Sequence, residues 1–150
     1  MRDGPVIWLR VASVLTLLHG VLHTVGGVFG GAAPGSQADA LAVMKANRFD
    51  AMGASRTYWE FFLGYGLFLS VNFLVQAVVF WQMSSMAKTD AVRVRPLAMT
   101  FAIGYAATAV VAWRYFFAAP AVVELVIAGC LVGAFVAAGR VRRGVSAESV

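Results

Sequence analysis

The sequence predicts an all-α integral membrane protein, an antiparallel four-helix bundle, on three observations. Hydrophobic residues make up 61% of the 150 positions and charged residues only 13%, with a mean hydropathy of +0.79. Soluble domains carry about a quarter charged residues, so this composition belongs to the bilayer. Four hydrophobic stretches of membrane length occur, at about 6–28, 58–81, 96–117 and 120–139. Together with one sizeable loop, 30–57, they occupy the chain, which leaves room for a single four-span domain. The net charge of +5 does not indicate a nucleic-acid binder, because no basic cluster is interleaved with aromatics. Cys130 is the only cysteine, so neither an intrachain disulfide nor a cysteine-based zinc site is available.

The first stretch, Val6 to Val28, has two faces. At 3.6 residues per turn, Ala12, Thr16, His19, His23 and Gly26 fall in one narrow sector, while Val14, Leu17, Leu18, Val21, Val25 and Val28 fill the opposite side. The second face suits lipid and the first requires protein neighbours. The apolar run is longer than a signal-peptide core of about 7 to 15 residues and contains two histidines, so it reads as an uncleaved span. Small residues four apart, Gly20 with Thr24, Gly26 with Gly30 and Gly27 with Gly31, invite close backbone approach.

In the loop 30–57, Ser36 followed by Asp39 resembles a capping box, which predicts a short helix. Ala38, Leu41, Ala42, Phe49 and Met52 are spaced to cover an apolar surface, either the membrane or the mouth of the bundle. The second span is bracketed by Trp59 and Trp81, about 33 Å apart on a helix, a bilayer core with a tryptophan at each interface. Ser55 is its expected N-cap, and Glu60 sits in its first turn, where a carboxylate suits the helix dipole. A polar connection leads to Pro96 and an alanine-rich third span ending in Trp113-Arg114-Tyr115-Phe116-Phe117. Ala118-Ala119-Pro120 is expected to form a tight turn into a fourth span that carries Glu124 and the pair Gly129 and Gly133. With four spans, Arg2, Arg10, Lys88, Arg93, Arg95, Arg140, Arg142 and Arg143 share one side, against Lys45, Arg48, Arg56 and Arg114 on the other. Both termini are therefore expected to be cytoplasmic.

Ionisable residues inside spans cost a few kcal/mol on insertion scales and normally face protein. His23, Glu60, Arg114 and Glu124 lie toward the outer ends of their helices, with His19 deeper, so an outer polar cluster is expected. Arg114 would pair with Glu60 or Glu124, and a histidine would bond the remaining carboxylate. Arg56, Tyr58 and Trp59 flank that cluster. His19 and His23 have the i, i+4 spacing of a chelate, but that spacing alone does not make a metal site, and none is assigned. No cofactor is indicated. The first functional reading is a binding or scaffold protein whose cluster is structural or holds a small lipophilic ligand. The second is an enzyme using His23 as acid or base on a quinone or isoprenoid. The expected partners are the bilayer and a lipophilic small molecule, without nucleic acid, and the sequence is compatible with a homo-oligomer without requiring one.

His23-Thr24-x-Gly26-Gly27, Phe49-Asp50-x-Met52-Gly53, Arg56-Thr57-Tyr58-Trp59-Glu60, Ala87-Lys88-Thr89-Asp90 and Trp113-Arg114-Tyr115-Phe116-Phe117 with Pro120 carry a resemblance over nearly the whole chain. The chain resembles a family of small four-helix bacterial inner-membrane proteins of unassigned function, broadly similar in architecture to DoxX-like proteins. The resemblance implies that His23 rather than His19 is the recurrent histidine, which favours a grouping of His23, Glu60 and Arg114. It implies no activity.

Overall fold

The computed structural model describes residues 3–147, with side chains through residue 140. Arg2 and the side chains of Arg142 and Arg143, which entered the charge count above, lie outside the described residues. The elements run α1 (Gly4–Leu22), a π-helical segment (His23–Val28), α2 (Ser36–Ala46), β1 (Arg48–Ala51), β2 (Ala54–Thr57), α3 (Tyr58–Met86), α4 (Arg95–Tyr115) and α5 (Ala118–Ala147). Four segments are long and apolar enough to cross a membrane: Gly4–Val28, Tyr58–Met86, Ala91–Tyr115 and Ala118–Arg140. The fold is all-α apart from one hairpin, and the spans define the class as a multi-pass membrane protein.

The chain divides into two compact units, Met1–His19 with Leu74–Val150, and Gly20–Phe73. The core of the first unit comes from regularly spaced positions. On α1 these are Val6, Leu9, Ala12, Ser13 and Thr16; on α4, Ala98, Ala102, Tyr105, Ala109 and Ala112; on α5, Ala121, Glu124, Ile127, Leu131, Ala134 and Ala138. Apart from the adjacent pair Ala12 and Ser13, steps of three and four residues keep each set on one helix face. The alanines let α4 and α5 pack closely, and theirs is the most extensive helix pair. Phe80 and Met83 of α3 complete the core. Ser13 Oγ donates to the Ala77 carbonyl at 2.7 Å, tying α1 to α3. Inside a bilayer such packing and interhelical hydrogen bonding hold helices together, because lipid removes the hydrophobic drive. Gly133 belongs here, since a Cβ would meet the Trp8 ring at 2.8 Å. Its companion Gly129 faces nothing within 4 Å, so the close approach expected of the pair is made by one member.

In the second unit, the π-helical segment replaces the expected straight continuation of α1. The Phe29 amide donates to the Thr24 carbonyl five residues back, at 3.0 Å. Thr24 Oγ1 shares its proton between the Gly20 carbonyl at 2.6 Å and Ser70 Oγ at 2.8 Å. Both Gly26 and Gly27 are poor helix formers, which lowers the cost of the wider turn. The winding changes which residues meet α3. His23 and Val28 would point about 140° apart on an α-helix of 3.6 residues per turn. Here both reach Gly66: Val28 is buried against it, correcting its assignment to the lipid face. Gly20 meets α3 as well, where a Cβ would lie 2.8 Å from Phe73 Cβ.

The loop contains the short helix expected of it, with different chemistry at its ends. The N-cap of α2 is Gly35, at φ 90° and ψ −141°, with no side-chain cap, so the box between Ser36 and Asp39 does not form. No residue of α2 is buried. The hairpin of β1 and β2 was not expected. Its register pairs Arg48 with Thr57 and Ala51 with Ala54. The linking residues, Met52 at φ 54° and Gly53 at φ 87°, both have positive φ, as a type I′ turn requires. Met52 therefore covers nothing and is fully exposed, whereas Phe49 packs on Tyr58 and Phe61 at ring distances of 4.7 and 5.4 Å. Three expected boundaries shift. α3 continues to Met86, the turn into α5 falls at Phe116 and Phe117 rather than Ala118 to Pro120, and α5 continues to Ala147. Pro120 lies in the first turn of α5, where its missing amide hydrogen has no helical partner to lose.

Candidate functional site

In the first unit, a polar group forms inside the alanine-rich core. α1 supplies Thr16, fully buried, and α4 supplies Tyr105; their hydroxyls lie 3.2 Å apart and either can donate. α5 supplies Glu124, 8% exposed. One of its carboxylate oxygens, Oε2, is buried and has no hydrogen-bond partner among the described residues. The Thr108 hydroxyl lies beside this carboxylate, and its single proton also has the Gly104 and Tyr105 carbonyls within 3.2 and 3.1 Å. His19 follows Thr16 by three residues on the same face of α1 and is half-buried. Chemically the group presents one carboxylate among hydroxyls, and Ala121, Ile127 and Ala128, one turn from Glu124 along α5, are buried.

In the second unit, His23 is half-buried and its Nε2 lies 3.1 Å from the Gly66 carbonyl. A carbonyl only accepts, so Nε2 carries the hydrogen and donates. The Phe73 ring meets the imidazole edge to face at 5.7 Å. His23 thus bonds a backbone carbonyl, where a carboxylate or arginine was expected. Ser70 Oγ donates to the same Gly66 carbonyl at 3.0 Å, so Gly66 collects two side chains.

Glu60 has a local partner too. Its Oε2 accepts from the Thr57 amide at 2.6 Å, while its own amide donates to Thr57 Oγ1 at 3.0 Å. This reciprocal box makes Thr57 the cap of α3 and corrects the expected Ser55. Ser55 sits in β2, where its hydroxyl and carbonyl accept from Arg48 at 3.0 Å each. Arg56 Nη1 also donates to the Ser55 carbonyl, at 3.1 Å. Trp59 receives Lys45 over its ring at 5.5 Å, and Tyr58 stacks on Phe49. Arg114 is exposed and lies 5.5 Å over the neighbouring Tyr115 ring. Each of these side chains serves a helix end, the hairpin or an interfacial aromatic.

Sequence reasoning passed over Tyr105, Thr108, Ser70 and Gly66. For Tyr105 a signal existed, as a lone phenol in the middle of an alanine-rich span. For Gly66 there was none, because its role depends on the π turn. Among the described residues, no group of three or more His, Cys, Asp or Glu is placed to hold a metal ion. Compared with known proteins, the chain matches no family model, no curated protein and no solved structure.

Proposed function

We propose that the protein is a multi-pass inner-membrane binding protein, an antiparallel four-helix bundle with cytoplasmic termini, which holds the polar head of a small lipophilic ligand on Glu124. The observation that carries this reading is the buried Oε2 atom without a hydrogen-bond partner. A buried acceptor left unpaired costs about 1–3 kcal/mol, so a fold that keeps one in a span has a use for it. The bundle is supported by the two-residue link between α4 and α5, and by Arg95, early in α4, which packs on Phe135 and beside Gly139, late in α5. The inner-membrane location rests on the resemblance described above.

Native mass spectrometry of gently extracted protein tests the reading. The wild type should retain a lipophile of defined mass, and Glu124→Leu, shown to be folded by circular dichroism, should lose it. Bare wild-type protein would remove the proposal.

A further inference from the structure

We infer that the protein pairs with a second copy of itself in the membrane through the N-terminal half of α3, the two helices running parallel and Asn72 of each copy hydrogen-bonding Asn72 of the other. Asn72 is the midpoint of α3 (Tyr58–Met86), about 21 Å along the helix from either end, at a depth without water. Its Nδ2 donates one proton to the Phe68 carbonyl at 3.0 Å. Among the described residues the side chain makes no other hydrogen bond, so a second amide proton and the Oδ1 acceptor stay open at a partly exposed position. Lipid tails cover apolar groups but cannot bond an amide.

Asn72 lies on an exposed seam. Phe61, Tyr65, Phe68, Asn72 and Val75 follow one another at alternating steps of four and three, the 3.5-residue spacing along which two helices pack, and the other four are exposed. α3 is also the least buried of the four spans. Its opposite side is taken: Gly66, Ser70 and Phe73 meet the chain's own His23, Thr24 and Gly20 in turn. Past Val75 the seam closes, since Val79 packs on the core of the first unit and Met83 is buried.

Depth selects the occupant. A partner helix must bring a hydrogen-bonding group to the middle of the bilayer at the level of Asn72. A second copy does so by symmetry, because identical chains insert the same way, their α3 helices run parallel, and like positions meet across a two-fold axis. An amide both donates and accepts, so the paired asparagines satisfy each other and fix the register. This surface does not involve Glu124.

The test uses the full chain in liposomes, with donor and acceptor dyes attached in separate preparations at Ser36→Cys, an exposed position; Cys130 is buried and stays unlabelled. Energy transfer between mixed copies should exceed that of random mixing and fall on dilution with lipid as a monomer–dimer equilibrium requires. Asn72→Val should weaken the pairing at least about fivefold, the scale of one interhelical hydrogen bond. Oxidative cross-linking in native membranes locates the seam. Val75→Cys should give a disulfide-linked dimer, and Leu74→Cys, exposed but turned away from the seam, should give none. Absence of energy transfer at every lipid ratio overturns the inference, and that measurement leaves position 72 unchanged, so a folding defect in Asn72→Val cannot mask it. Pairing unchanged in Asn72→Val, an equal dimer yield from Leu74→Cys, or a Val75→Cys product containing a different protein overturns it as well.

Discussion

Thr16 of α1 and Tyr105 of α4 meet hydroxyl to hydroxyl at 3.2 Å in the core of the first unit, where Thr16 has no exposed surface. The contact joins residues 89 positions apart in sequence, so it records helix packing rather than local preference. Neither residue can turn to water, and each satisfies the other.

This pairing makes a coupled prediction. Tyr105→Phe or Thr16→Val alone should destabilise the protein by about 0.5–2 kcal/mol, the range of interhelical hydrogen bonds in membranes. The double variant should cost little more than either single one, since the second change removes a group already without its partner. Reversible unfolding in mixed micelles measures this. Additive losses would mean that the hydroxyls act independently.

Close approach in the second unit can be tested with alanine. Gly20→Ala places a methyl 2.8 Å from Phe73 Cβ, an atom next to the backbone that cannot swing aside. The expected loss is about 1–3 kcal/mol. Gly64→Ala, in α3 with nothing within 4 Å, should be neutral or stabilising by up to about 1 kcal/mol through helix propensity. Equal melting temperatures for the two variants would show that Gly20 is not a packing position.

The contrast between these glycines bears on what the sequence could reveal. Four hydrophobic stretches, the lipid face of α1 and the buried sector at Ala12 and Thr16 follow from composition and a period of 3.6, which are local and additive signals. The outer grouping of His23, Glu60, Arg114 and Glu124 was inferred from depth alone. Depth says which residues share a level and nothing about which nearer partner each will take. Glu60 found Thr57 three residues away, His23 found a backbone carbonyl, and Arg114 found the ring next to it. Glu124 had no such local outlet, which is why it remains in the candidate site. The hairpin escaped notice because its turn uses Met52-Gly53 in place of an Asn-Gly or Asp-Gly signal.

The cap of α3 makes a sharper claim about Glu60. Thr57→Ala removes the hydroxyl that accepts from the Glu60 amide and should cost about 0.5–2 kcal/mol. Glu60→Gln keeps an oxygen able to accept from the Thr57 amide, so it should cost less than half as much. Amide exchange at residues 57–60 reads both directly. A larger effect from Glu60→Gln would point to a role for the carboxylate charge beyond the cap.

The hairpin turn carries a removable strain. Met52 adopts φ 54°, a left-handed conformation that costs an ordinary L-residue about 1–2 kcal/mol, while Asn tolerates it. Met52→Asn should slow amide exchange across residues 48–57 about fivefold, the equivalent of ~1 kcal/mol. Gly53→Ala, at φ 87°, should speed it. An unchanged exchange rate in both variants would show that the turn does not limit opening of the hairpin.

Orientation is the last prediction, and it follows from where the basic side chains sit. Arg10 lies over the Trp81 ring at 5.1 Å, and the Arg95 Nε donates to the Phe135 carbonyl at 3.2 Å with the guanidinium over that residue's ring. The proposed four-span topology assigns these arginines, with Lys88, Arg93 and Arg140, to one side of the membrane, and Lys45, Arg48, Arg56 and Arg114 to the other. The excess, five against four among residues with described side chains, is small by count. Lys88 is exposed in the short connection between α3 and α4, where positive charge acts on topology, and Arg93 in the same connection pairs with Asp90 at 2.8 Å. Cys130, the single cysteine, is buried, so introduced cysteines can be read against a silent background. Ser36→Cys should react with a membrane-impermeant maleimide on intact spheroplasts, and Lys88→Cys should react only after the membrane is permeabilised. The reverse pattern would invert the protein in the membrane and place Glu124 near the cytoplasmic end of its span.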